Sequence, residues 1–400
     1  MKKIISVLLV LVLTAACLGL CASAEDKTAE LRFRDDGTFK IMVFSDTQDD
    51  RYPAYDMLNF VKLAAQTAQP DLIVFTGDLV EDSRIGDIGI DGQSFREGVN
   101  VKSGGELDIE KTLDNIKVAT DNVFSILEET GIPYAIAMGN NDYKCGIGSA
   151  EWLEIFSAYP HLLCEDISDD EGKRIDYNLE IKGNDGSTKF NIWLMDSGRG
   201  SVNNDQVEWY KSKASALAAA NGGTPVPALL FQHVQVSDIG NLFEECNMWD
   251  EGSRMSGGKF YRLNKEIASG RYTFAYEPGQ TSYEFLSWQE QGDVIGAFFG
   301  HQHVEGFSGV WQGIELGFTY GCEMAKPGPY GYRLITLHED DVKNYDNELY
   351  TYEGSYRTSA EFVKQVDTPY TVPSNPVEAL FIMIKSFLQA IGSAVIGLFA

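Results

Sequence analysis

The feature that most restricts this chain is positional: apolar, β-forming runs stop one after another at short polar loops carrying residue types that bind metals. Phe39 to Phe44 stops at Ser45-Asp46-Thr47-Gln48, Leu72 to Thr76 at Gly77-Asp78, and Pro133 to Met138 at Gly139-Asn140-Asn141-Asp142. Ala228 to Gln232 delivers His233, and Val294 to Phe299 delivers Gly300-His301-Gln302-His303. Such runs, closed by turn residues, read as buried strands. Helical spacing falls between them, at Met57, Phe60, Val61 and Ala64, and again at Leu113, Ile116, Val123 and Leu127 before Gly131. Asn203 is a cap for a further helix over Asp205 to Ala220. Strands alternating with helices predict an α/β domain, and in open α/β sheets ligands sit where strands end, so that residues remote in sequence converge. Of the 5 histidines in the chain, His233, His301 and His303 lie in these loops.

Each piece alone is ordinary. Gly-Asp and Gly-Asn are common turn pairs, and a lone histidine at a strand end is more often a hydrogen-bonded polar residue than a ligand. The ordered set carries the inference. His301 and His303, two residues apart on a tight turn, can direct their imidazoles at two adjacent ions. Charge narrows the partners: Lys+Arg is 32 against Asp+Glu 59, a formal net charge of -27. That excess repels nucleic acid, so no nucleic acid polymer is expected as a partner. It also repels a phosphate-bearing substrate at long range, so a site for one needs local positive charge, and bound metal is the natural source.

The ends of the chain read differently from its body. Lys2 and Lys3, the apolar run Ile4 to Ala16 and the small residues Ala22-Ser23-Ala24 read as a signal peptide over 1–24, with a lipid-bearing Cys17 as a second reading. Export to an extracellular, periplasmic or cell-envelope location follows. Cys145, Cys164, Cys246 and Cys322 lack metal-site spacing and are either disulfide partners or buried thiols. The stretch from Val236 to Tyr283 reads as irregular, with Gly257-Gly258, and is either an insertion forming one wall of a substrate cleft or a surface loop. Segment 341–375 is polar and gives no clear element. From 376 to 400 the chain reads as a hydrophobic C-terminal helix, with Glu378, Lys385 and Gln389 on one narrow stripe. Val377 to Ala400 is therefore a membrane-surface helix or tail anchor, or a helix docked on the parent domain.

With these residues in view, the chain resembles the calcineurin-like metallophosphoesterases, whose pattern is Asp-x-His, Gly-Asp, Gly-Asn-His-Asp or Glu, a later His, and Gly-His-x-His. The resemblance runs from Phe39 to Leu337, within a domain read as 38–340. Asp205-Gln206 with Trp209, and Tyr330-Gly331-Tyr332, look like the branch related to purple acid phosphatases. It implies an α/β fold, a four-layer α/β/β/α sandwich, with two transition-metal ions (Fe, Mn or Zn) at the strand ends. Carried over, Asp78 bridges the ions, Asp46 and His303 hold one, and Asn140, His233 and His301 hold the other. Together the ions neutralise a phosphate ester and acidify a water, which attacks phosphorus in line. Asp142 orients its neighbours, or is a loop carboxylate closing a turn.

Two positions depart from that pattern. Gln48 stands where the family has a metal-binding histidine, and its amide oxygen is a weaker donor than imidazole. Asn141 stands where the family has the histidine that protonates the leaving group or stabilises the transition state. It can donate hydrogen bonds but cannot act as a general acid, an assistance worth about 10²- to 10⁴-fold. The expectation is therefore an exported metal-dependent phosphatase or phosphodiesterase. A metal- or phosphate-binding protein with weakened catalysis is the alternative.

Overall fold

The computed structural model describes residues 30–81, 109–165, 174–198, 200–324, 328–353 and 361–364. The expected signal peptide (1–24) and C-terminal helix (376–400) lie outside them. In chain order the elements begin with β1 (Thr38–Phe44), α1 (Tyr55–Ala68), β2 (Leu72–Phe75), α2 (Ile109–Thr130), β3 (Tyr134–Ile136), α3 (Asn140–Lys144) and α4 (Ser149–Phe156). Then come β4 (Tyr177–Lys182), β5 (Thr188–Met195), α5 (Asn204–Ala220), β6 (Ala228–Gln232), β7 (Phe243–Glu245), β8 (Arg254–Ser256), β9 (Lys259–Leu263) and β10 (Ala268–Arg271). The rest are α6 (Tyr283–Gln291), β11 (Val294–Phe299), β12 (Gly306–Trp311), β13 (Ile314–Phe318), β14 (Gly331–His338), β15 (Asp346–Glu353) and β16 (Glu361–Lys364).

The strands form a six-stranded sheet in the order β16-β15-β14-β1-β2-β3 and a seven-stranded sheet in the order β10-β12-β13-β11-β6-β5-β4. The middle of each is parallel, β1 with β2 and β3, and β5 with β6, β11 and β13, so the carboxyl ends of these strands share one edge of their sheet. The period of two along a strand divides the second sheet between two cores. Phe190, Ile192, Leu194, Leu229, Phe231 and Phe298 join the first sheet's residues, while Trp193, Met195, Leu230, Ala297 and Phe299 pack with Trp209, Tyr210, Phe285 and Trp288 of α5 and α6. Met57, Phe60 and Val61 of α1 and Ile116, Val123 and Phe124 of α2 belong to the first core. Arg333 of β14 fastens the sheets, donating to the Phe318 carbonyl of β13 at 2.6 Å.

Two segments differ from expectation. The polar segment 341–375 contributes β15 and β16, which extend the first sheet beyond β14 by antiparallel pairing. The stretch 236–283, read as irregular, holds a three-stranded sheet of order β7-β9-β8, whose β8–β9 hairpin turns on Gly257-Gly258. A Gly-Gly pair supplies the positive φ that a two-residue hairpin turn needs. The four described cysteines are free thiols, with Cys145 and Cys322 buried. Among the described residues no helix is long and apolar enough to cross a membrane.

Candidate metal centre

Four of the sequence-selected residues sit at left-handed backbone corners: Asp46 (φ 50°), Gln48 (36°), Asp78 (52°) and His301 (69°). Among the described residues only Gln69 and Gln312 otherwise do so without being glycine. Such corners cost on the order of 1–3 kcal/mol each and persist only where the surroundings over-determine them. Here the surroundings are strand-end hydrogen bonds: Asp46 N–H donates to Gly77 O (3.1 Å), Gln48 N–H to Asp78 O (2.9 Å), and His301 N–H to Asp46 Oδ2 (3.0 Å). Loops from both sheets approach so closely that a Cβ on Gly139 would lie 2.2 Å from Asp78 N, and one on Gly300 2.1 Å from Ser45 Oγ. Glycine is what lets the ligand loops touch.

Around His233 the tautomer follows from its neighbours. Its Nδ1–H donates to the Thr76 carbonyl at 2.8 Å, which turns Nε2 toward Asp78 Oδ2 at 3.1 Å and His301 Nδ1 at 3.3 Å. Asn140 closes the group, its Oδ1 3.2 Å from His233 Nε2. Turned half a revolution, the same amide would donate its NH₂ to His301 Nδ1 at 2.8 Å and His233 Nε2 at 3.2 Å. With its oxygen inward, lone pairs of Asn140, His233, His301 and Asp78 converge, an arrangement that needs a proton or a cation at its centre. A transition-metal ion fits that donor set of amide oxygen, imidazole and carboxylate.

The electrostatics agree. Burial lowers the pKa of His233, yet the charge and hydrogen bond of Asp78, with Asp46 and the Thr76 carbonyl, outweigh it and push the imidazole up to about 9. Burial and the neighbouring His233 charge hold His301 down at about 4. Burial raises the Asp78 carboxyl, but His233 and hydrogen bonds from His233, Asn141 and Gln48 leave it below the ordinary range. Burial keeps Asp46 raised against the pull of His303 and His233.

The other side of Asp78 is more open. His303 Nε2 lies 3.3 Å from Asp46 Oδ1, and its Nδ1 lies 3.0 Å from Glu323 Oε2, with the His303 side chain 30% exposed. Asp46 Oδ2 also accepts from Ser45 Oγ. Gln48 turns its Nε2–H₂ onto Asp78 Oδ2 at 2.8 Å. Ligand atoms of Asp78, His233 and His301 lie within 4.8 Å of one another, as do those of Asp46, Asp78 and His303. Asp78 belongs to both groups.

Asn141 and Asp142 do different work. The Asn141 N–H donates to Asp78 Oδ1 at 2.8 Å, and its Oδ1 accepts from Asn140 Nδ2 (2.8 Å) and Lys144 Nζ (3.1 Å). The Asp142 carboxylate is buried and accepts backbone N–H groups of Leu79 (2.7 Å), Gly139 (2.8 Å), Asp78 (3.0 Å) and Val80 (3.3 Å). Burial, then the Asp78 charge, push it up to about 7. It clamps the Asp78 loop rather than facing a substrate. Reasoning from sequence passed over Glu323, Lys144 and Ser45. Only Ser45 had a local signal, its place beside Asp46.

With this geometry in hand, comparison with known proteins is direct. The calcineurin-like phosphoesterase family pattern matches residues 39–305. The chain belongs to that family. It is 25% identical over 379 aligned positions to the probable inactive purple acid phosphatase 14 of Arabidopsis thaliana, covering 84% of this chain and 82% of the relative. Against the probable inactive purple acid phosphatase 28 of the same plant it is 25% identical over 346 positions, covering 76% and 72%. Among solved structures, a dimetal phosphatase from Danio rerio aligns at 12% identity with a TM-score of 0.44, over 82% of this chain and 99% of that one.

Proposed function

We propose that this protein hydrolyses phosphate esters at a two-metal site built around Asp78. What carries the reading is the presence of Asp78 in both clusters of ligand atoms, one with His233 and His301, the other with Asp46 and His303. Asn140, His233 and His301 would hold one ion, and Asp46, His303 and the Gln48 amide the other. Ions bound there supply charge neutralisation and an acidified water. This chain's own residues do the positioning. Thr76 fixes the His233 tautomer, Glu323 pairs with His303 Nδ1, and Asp142 holds the Asp78 loop. The two sheets with their flanking helices are read as the four-layer α/β/β/α sandwich.

A second reading, a phosphate-binding protein with weakened turnover, is favoured by one contact. Gln48 donates from its amide nitrogen to Asp78 Oδ2, so the amide presents a hydrogen-bond donor where the family has an imidazole ligand. Elemental analysis joined to a phosphomonoester and phosphodiester panel, across several metals and a pH series, separates the two. Two ions per chain with turnover supports the first; two ions with tight phosphate binding and no product supports the second. Dispersed or absent ions sink both. Export through 1–24 and membrane attachment through 377–400 belong to the same proposal. N-terminal sequencing tests the first. Fractionation of full-length protein against a form truncated after Pro373 tests the second, and equal solubility would remove the membrane idea.

A further inference from the structure

The residue after the asparagine ligand is Asn141, so the site lacks the cationic imidazole that the family places there. We propose that Lys144 supplies that positive donor, its ammonium contacting a non-bridging phosphoryl oxygen of the bound ester; this rests on the phosphoesterase reading.

Lys144 follows Asn141 by three residues on α3, and spacing of three puts both on one helical face. Its Nζ donates to Asn141 Oδ1 at 3.1 Å, so the ammonium stands beside the residue that replaces the family's histidine. Asn140 and Asn141 are buried whereas Lys144 is exposed, so its charge borders solvent while its ammonium reaches the buried asparagines.

The Asn140 amide connects Lys144 to the ions. With oxygen outward, Asn140 accepts from Lys144 Nζ at 3.0 Å. With oxygen inward, as an ion requires, the amide NH₂ faces the ammonium and that acceptor is lost. Both donors are then directed at Asn141 Oδ1, and the proposed contact uses another of the three N–H groups of the ammonium. A lysine suits this task, being a compact charge on a flexible stem. In a chain of net charge -27 such a cation offsets the repulsion a phosphate meets.

The test uses metal-loaded full-length protein, with inorganic phosphate and tungstate as probes of binding and p-nitrophenyl phosphate as substrate. Lys144→Met should weaken oxyanion binding about tenfold or more and lower kcat/KM about 10²-fold, the range for removing one charge-stabilising donor. Metal content should stay at the wild-type value, and Lys144→Arg should restore part of both losses. A Met variant within about twofold of wild type in binding and kcat/KM overturns the proposal. So does one that loses metal, because Lys144 would then be supporting a ligand. If wild type turns the ester over and the Met variant does so equally well, Lys144 alone falls. If metal-loaded wild type binds no oxyanion and hydrolyses no ester, the phosphoesterase reading falls and Lys144 with it.

Discussion

The two sides of Asp78 are built differently. On the His233 side the ligands are locked from behind: a backbone carbonyl fixes one imidazole, and that imidazole is fully buried. On the His303 side the fixing partner is a carboxylate side chain, the imidazole is partly exposed, and Gln48 stands where the family has a histidine. Backbone carbonyls are held by the sheet and do not rotate, whereas side-chain partners do. The difference teaches that, in the proposed centre, one ion would be held by the fold and the other by a set of side chains that substitution can loosen.

The largest test of that contrast removes what both sides share. Asp78→Asn should leave less than one ion per chain by elemental analysis and reduce kcat/KM by roughly 10³-fold or more. Retention of both ions would break the shared-ligand picture. Next, Asn141→His should raise kcat/KM by about 10²-fold on esters with poor leaving groups and less on p-nitrophenyl esters, as general acid assistance would. An equal gain on both classes would point to charge alone.

Gln48→His addresses the open side directly. It should tighten the more weakly bound ion by about 10- to 100-fold in a calorimetric titration, the span that changes in a ligand's surroundings commonly cover, and leave the tighter one unchanged. Tightening of both would show that the sides are not independent. The smallest effect concerns protons. In chelator-stripped protein His233 titrates near 9 against an ordinary 6.5, so the folded chain holds this proton more firmly than the unfolded chain does. Its stabilisation is complete below pH 6.5 and is lost as pH rises through 9. Thermal melts of stripped protein should therefore fall across that window. Ion-loaded protein should gain stability over the same range, because protons compete with metal for His233. Parallel curves would mean that His233 holds no ion.

Much of this was legible beforehand for a definite reason. At Asp46, Asp78, Asn140, His233 and His301 the strand and the candidate ligand are adjacent in sequence, so one short run announces both. Glu323 is different. It lies beyond β13 in a loop with no recognisable pattern, and its importance exists only once His303 is folded against it. Lys144 reads as a surface residue until the α3 turn brings it to Asn141. Asp142 was legible as a carboxylate closing its own turn, as its bond from Gly139 N–H does, but its hold on the Asp78 loop was not, since those partners are backbone N–H groups of a remote loop. Among the elements, β7 and β8 have three residues each, too few for a period to appear. α6 escaped because it adjoins the irregular-looking stretch, although Ser282 accepts from Phe285 N–H as its cap.

The left-handed corners at Asp46, Gln48, Asp78 and His301 have a kinetic consequence. Protein hydrogen bonds alone hold their shape, so an arriving metal ion would meet a cup that already exists and would not wait for the chain to rearrange. Loading would then be paced by the ion shedding its hydration shell. A cup fixed in advance would also discriminate by size and donor type alone, so the metal it took up would reflect which suitable ion is abundant where the chain matures.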